Sequence, residues 1–146
     1  MKLRTAFAAL IATVGLVVAS AAPAQADPPG GIKTYQINVK TGDLDGAGTD
    51  SWVQIRMHGA LGSTGWIVLD DEDDNHERGR LDRYRVTHAD LGELRSIDVW
   101  CDHSGRNADW YLDWILISKG STDGNLFSHG GWFTRNQVVG VENSTR

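Results

Sequence analysis

Apolar and polar residues alternate along much of the chain. Tyr35, Ile37 and Val39 alternate with Gln36, Asn38 and Lys40, and Val53, Ile55 and Met57 alternate with Gln54, Arg56 and His58. A period of two sends successive side chains to opposite faces of an extended backbone, so each run predicts a strand buried on one face. Further strands are predicted over Trp66 to Leu69, Leu81 to Thr87 (with Tyr84 and Val86 in phase), Leu94 to Cys101 and Trp110 to Ser118. In the last of these, Trp110 and Leu112 are out of phase with Ile115 and Ile117. The slip falls at Asp113-Trp114 and predicts a β-bulge there. Leu126 to Ser128 and Gly131 to Phe133 predict shorter closing strands, and Asp90 to Glu93 is at most one helical turn. Short strands separated by Gly- and Asp-rich turns, with no amphipathic helix, specify an all-β sandwich. The core should hold Val53, Ile55, Met57, Ile97, Val99, Leu112, Ile115 and Ile117, with Trp110 and Trp132 structural.

The first residues do not belong to this pattern. Lys2 and Arg4 precede an uncharged apolar run, Ala6 to Ala19, and a small-residue site, Ala24-Gln25-Ala26. This order reads as a secretory signal peptide over residues 1–26, and the run is shorter than the roughly 20 residues of a membrane span. A Pro- and Gly-containing linker, 27–33, leads into a domain over 34–135, and 136–146 reads as a C-terminal tail. The protein is therefore expected to be secreted, with no transmembrane segment once the leader is removed.

The formal charge is −5. Loss of Lys2 and Arg4 with the leader makes it −7. An acidic chain without a basic stripe argues against nucleic-acid binding. Cys101 is the single cysteine, so no disulfide closes within the chain. It is in phase with Ile97 and Val99, which predicts a buried, inert thiol.

Three loops carry oxygen donors. Thr41 to Asp50 contains Asp43, Asp45, Asp50 and three glycines. Calcium takes six to eight oxygens from carboxylates, carbonyls and water, and glycines let a backbone aim its carbonyls inward. The helix–loop–helix calcium signature is not met, since Ala47 stands at its fifth position and Gln54 at its twelfth. The alternative is a solvated acidic turn. Asp70 to Glu77 is a second acidic loop, and Asp102 to Asp109 a third, with Asp109 fixed beside Trp110 at a strand start.

Catalytic signatures are missing. Gly62-Ser63-Thr64-Gly65 is not a nucleophile elbow, no His-Glu-x-x-His occurs, and the five histidines have no ligand spacing. A carboxylate pair for glycoside hydrolysis depends on three-dimensional separation. The sequence therefore points to a binding module and not to an enzyme. Asn143-Ser144-Thr145 fits a glycosylation sequon and is read as chance.

The ordered set Tyr35 to Gly42, Ala47-Gly48-Thr49-Asp50, Gly59, Leu69-Asp70, Glu77-Arg78-Gly79, Asp82, Tyr84, Asp90 to Leu94, Ile97, Asp109 to Leu112, Phe127 and Trp132 resembles a PLAT domain, the module shared by polycystins, lipoxygenases and clostridial alpha-toxin. The resemblance implies an eight-stranded antiparallel sandwich of two four-stranded sheets. It also implies calcium, held by the carbonyls of Gly46 and Gly48 and the carboxylates of Asp50 and Asp109, with a second site drawn from Asp74, Asn75 and Glu77. The implied partner is a lipid or membrane surface, or another protein. Among the loop tips only Leu44 is apolar and sizeable. Burying one leucine is worth roughly 1.5–3 kcal/mol, which limits membrane affinity to the millimolar scale.

Overall fold

The computed structural model describes residue 24 and residues 26–120 and 124–146. The leader read over residues 1–26 lies outside these, apart from Ala24 and Ala26. Nine strands follow in order: β1 (Ile32–Thr41), β2 (Val53–Gly59), β3 (Gly62–Ser63), β4 (Ile67–Val68), β5 (Leu81–Ala89), β6 (Leu94–Cys101), β7 (Trp110–Lys119), β8 (Asn125–Phe133) and β9 (Gln137–Glu142). There is no helix among the described residues.

All pairings are antiparallel. One sheet has the order β5-β1-β7-β8, and the other runs β3-β2-β6-β9 with β4 also on β2. The second sheet has five strands where the resemblance implied four, because the outer edge of β2 is covered by two two-residue strands and not one longer one. The sandwich buries the residues that the alternation assigned inward. Val53, Ile55, Met57, Ile97, Val99, Leu112, Ile115 and Ile117 are all buried, together with Tyr35, Trp110, Phe127 and Phe133. The bulge also forms where the phase slips: the β7–β8 register shifts between Leu112 and Trp114, leaving Asp113 unpaired.

Three readings need correction. The linker ends at Gly31, since β1 starts at Ile32. Residues 136–146 are no tail: β9 pairs with β6 from Ser96↔Glu142 to Cys101↔Gln137 and contributes Val141 to the core. Gly140 interrupts the valine alternation in Val138 to Val141, which hides the strand in the sequence. The two closing strands are one, β8, whose period is broken by the adjacent Gly130 and Gly131. On it Trp132 is 39% exposed and packs edge-on against Tyr111 at 5.3 Å, so it is a surface aromatic, whereas Trp110 is fully buried. Cys101 is free and buried, and burial pushes its thiol pKa up.

Candidate functional site

Three loops meet at one end of the sandwich: 42–52 between β1 and β2, 69–80 between β4 and β5, and 102–109 between β6 and β7. Backbone bonds tie them together. Thr49 N–H donates to His76 O (3.1 Å), Asp50 N–H to Asn107 O (2.9 Å), Asp102 N–H to Trp52 O (3.1 Å) and Tyr111 N–H to Ala47 O (3.0 Å). Buried hydroxyls add to this. Thr49 Oγ1 donates to Asn107 O (2.8 Å), and Ser51 Oγ to Ser104 O (2.8 Å). Such small polar residues bind loop carbonyls from the buried side and hold the exposed loop in place.

Gly48 is required by the approach of two loops. A Cβ built there would stand 3.0 Å from Arg78 N and 3.2 Å from His76 O. Gly46 holds φ 75°, in the region that favours glycine. The packing behind the loops is firm. His76 Nε2–H donates to Leu69 O (2.9 Å), and its ring meets Trp110 edge-on at 5.2 Å. Burial pushes the His76 pKa down, so the ring is held neutral.

Gly46, Gly48, Glu77 and Asp109 line one cleft of about 540 Å³, with Arg78 and His103. Asp50, Asp74 and Asn75 line a neighbouring cleft of about 280 Å³, with Trp52 and Asp70. The grouping implied by the resemblance is therefore redistributed. Asp50 lines the second cleft while its carboxylate bonds Asn107 at the rim of the first, and Glu77 lines the first. Glu77 also links them electrostatically. Burial, then the charges of Asp74 and Asp50, raise its pKa.

Several of these groups already have protein partners. Asp109 Oδ1 meets His103 Nε2 at 2.7 Å, and Asp50 Oδ2 accepts from Asn107 Nδ2 at 3.2 Å. Arg78 bridges Asp43 (2.8 Å) and Asp45. Asn75 is committed: its Nδ2 donates to Asp71 (2.9 Å) and Asp73 O (3.0 Å), and its Oδ1 accepts from Tyr84 (3.0 Å). Its side-chain oxygen therefore clamps the loop from behind.

Among the described residues, no three His, Cys, Asp or Glu side chains converge as a metal cluster. Calcium does not require one, because carbonyls and water complete its shell. The first cleft offers the oxygens of Gly46, Gly48, Glu77 and Asp109, with Arg78, Arg106 and His103 sharing its lining, and the charges of Asp74 and Asp50 press on Glu77 more than Arg80 offsets them. That donor set suits a hard cation.

Sequence reasoning missed three participants. Trp52, 54% exposed, adds a large aromatic to the same loop as Leu44, which is 44% exposed. Its signal was its phase: it lies one residue before inward Val53, alongside outward Gln54. Arg78 and His103 were legible as residue types, but their pairing with the acidic loops was not.

A family model described as the PLAT/LH2 domain matches residues 35–142. The human lipoxygenase homology domain-containing protein 1 is 44% identical over 91 residues, covering 62% of this chain and 4% of that protein. The allene oxide synthase-lipoxygenase protein of Plexaura homomalla is 33% identical over 100 residues (66% and 9%), and human polycystin-1 is 34% identical over 94 (64% and 2%). The chain thus spans less than a tenth of these relatives' lengths. Among solved structures, coral 8R-lipoxygenase, described as calcium-activated via a C2-like domain, superposes with TM-score 0.67 and 29% identity over 75% of this chain and 17% of that one. A calcium-dependent 11R-lipoxygenase gives TM-score 0.62 and 32% identity over 76% and 17%. The fold, the span of the family match and these identities together establish that the chain belongs to the PLAT/LH2 domain family.

Proposed function

We propose that this protein is a secreted, non-catalytic binding module whose end loops take up calcium and then engage a lipid or membrane surface. The observation that carries the reading is the coincidence at one end of the sandwich of oxygen-lined clefts and exposed apolar side chains, Leu44 and Trp52. The calcium described for the lipoxygenase neighbours supports it. Gly46 and Gly48 carbonyls with the Asp50, Asp109 and Glu77 carboxylates would hold the ion, and Asp74 would add charge to the adjoining cleft. Bound calcium supplies positive charge that neutralises the acidic loops.

The chain's own residues do the rest. Asp109 must exchange His103 for the ion, and Asp50 must exchange Asn107. With their carboxylates neutralised, the loops lose the repulsion that an acidic surface meets at an anionic bilayer. Trp52 and Leu44 are then free to insert at the interface, where an indole's amphipathic ring is favourable. Co-sedimentation with phosphatidylserine–phosphatidylcholine vesicles tests this, with calcium and with a chelator. Calcium-dependent pelleting that Trp52→Ala reduces is expected. Calcium binding by calorimetry without any pelleting would favour a protein partner, with calcium as a loop clamp.

A further inference from the structure

The outer face of the β2–β6–β9 sheet carries chemistry that the end loops do not use. Register sets its layout. Val68, Gln54, Trp100 and Val138 form one row across the sheet, and Arg56, Asp98 and Gly140 form the next. All lie out of phase with the buried Ile55, Ile97 and Val99, so this row pattern faces solvent.

Two indoles stand side by side there. Trp66, 37% exposed, has its ring centroid 5.9 Å from that of Trp100 at 59°. Arg56 Cζ lies 4.7 Å from the Trp66 centroid and covers one side of that ring. Trp100 Nε1–H donates to Asn136 Oδ1 at 2.8 Å, which fixes the second ring. Both aromatics are held before any ligand arrives, so little rotamer entropy remains to be lost on binding.

Beside them is a polar group with unused capacity. Asp98 Oδ2 accepts from Arg56 Nε (3.0 Å) and Nη2 (2.7 Å) and meets His58 Nε2 at 2.8 Å. His58 Nδ1 in turn meets Ser63 Oγ at 2.7 Å. These contacts converge on one carboxylate oxygen. Among the described residues, Asp98 Oδ1 and Arg56 Nη1 have no hydrogen-bond partner, and both side chains remain partly exposed. The position opposite Asp98 on β9 is Gly140, where a Cβ would come 3.6 Å from Oδ1. The space beside that oxygen is open because the residue there has no side chain.

A fixed acceptor and a fixed donor on one sheet face match two hydroxyls of one ligand, one donating to the carboxylate and the other accepting from the guanidinium. Charge-assisted bonds of this kind are the stronger ones. The opposite charges of Arg56 and Asp98 cancel, so the pair selects a neutral ligand, and the chain's net charge of −5 disfavours a polyanion. An indole beside a hydroxyl-reading pair suits a pyranose ring, which has an apolar C–H face and a hydroxyl rim.

We propose that this face binds a neutral polysaccharide, with Trp66 stacking on a sugar ring and Arg56 and Asp98 reading two hydroxyls. This is independent of the end loops, and calcium plays no part in it. The test is native electrophoresis of the purified protein through gels containing hydroxyethyl cellulose, laminarin or galactomannan, in the presence of EDTA. Retardation by at least one is expected. Trp66→Ala should weaken it at least about tenfold. Gly140→Val should do the same by filling the niche. Its backbone is not left-handed and a Cβ there makes an ordinary contact, so the variant is expected to fold, with its melting temperature measured alongside. Asp109→Ala, in the end loops, should leave retardation intact. No retardation in any of the three gels would overturn the proposal, as would retardation that survives both Trp66→Ala and Gly140→Val.

Discussion

Ile55 is fully buried between Val99 on β6 and Ile67 on β4. Truncation there removes apolar contacts that the close-packed sandwich cannot refill, so Ile55→Ala should cost about 2–5 kcal/mol in urea denaturation. A residue buried by strict alternation is legible in sequence, because period two fixes the face of every neighbour at once. The face taken by Trp132 is not legible, for the opposite reason: its neighbouring glycines have no side chain to report phase. Electrostatic detail is less legible still. Asp90 Oδ1 accepts from Gly92 N–H (2.9 Å), a local turn contact, and from Lys119 Nζ (2.8 Å), a pairing that only the fold creates. The Lys119 bond, then the Gly92 N–H, hold the Asp90 carboxyl below the usual carboxylate range. A carboxylate favoured in the folded state contributes stability above the unfolded value, about 3.9, and loses it as pH falls through the lower folded value. Asp90→Asn should therefore melt earlier than the parent at neutral pH, with the gap closing below about pH 4. A gap constant across that range would show that the charge contributes nothing.

At the scale of elements, β9 shows what sequence patterning cannot resolve. Its valines face opposite sides of the sheet around Gly140, and only pairing with β6 fixes which side is core. The strand is anchored just beyond its end. Asn143 is buried; its Nδ2 donates to Leu94 O (2.9 Å) and Asn125 Oδ1 (2.8 Å), and its N–H donates to Arg95 O (2.8 Å). The sequon around it is thus a structural corner that joins both sheets, and a glycan on Nδ2 would displace these bonds. Asn143→Ala strands two acceptors near the core, and an unsatisfied buried polar group costs about 1–3 kcal/mol. Thermal melting should show that loss, while Thr145→Ala, which abolishes the sequon but leaves both Asn143 Nδ2 bonds in place, should melt closer to the parent. Equal losses would place the anchor elsewhere. The bulge at Asp113 is the contrasting case, visible in sequence because apolar residues flank it on both sides.

Across the whole molecule, the end loops concentrate negative charge that the fold only partly offsets with Arg78 and Arg80. The acidic composition of each loop was visible in the sequence, but which carboxylates share a cleft was not, because Gly46, Glu77 and Asp109 come from three separate connections. A cation joining them would couple β1–β2, β4–β5 and β6–β7 in one step. A ligand that binds only the folded state adds RT ln(1 + [L]/Kd), about 2.7 kcal/mol at a hundredfold excess over Kd. Millimolar calcium should therefore raise the melting temperature. Magnesium should raise it less, since it demands a tight octahedron and gives up water reluctantly. Asp50→Asn keeps an oxygen and should weaken the calcium shift, and Asp109→Ala should weaken it more. His103 supplies the decisive contrast. It is bonded to Asp109 and sits at φ 56°, a conformation asparagine tolerates well. His103→Asn removes the competing imidazole without straining the loop, so its calcium shift should exceed the parent's. If His103→Asn and Asp109→Ala change the shift in the same direction, or calcium leaves the parent's melting temperature where it was, the ion does not bind at Asp109.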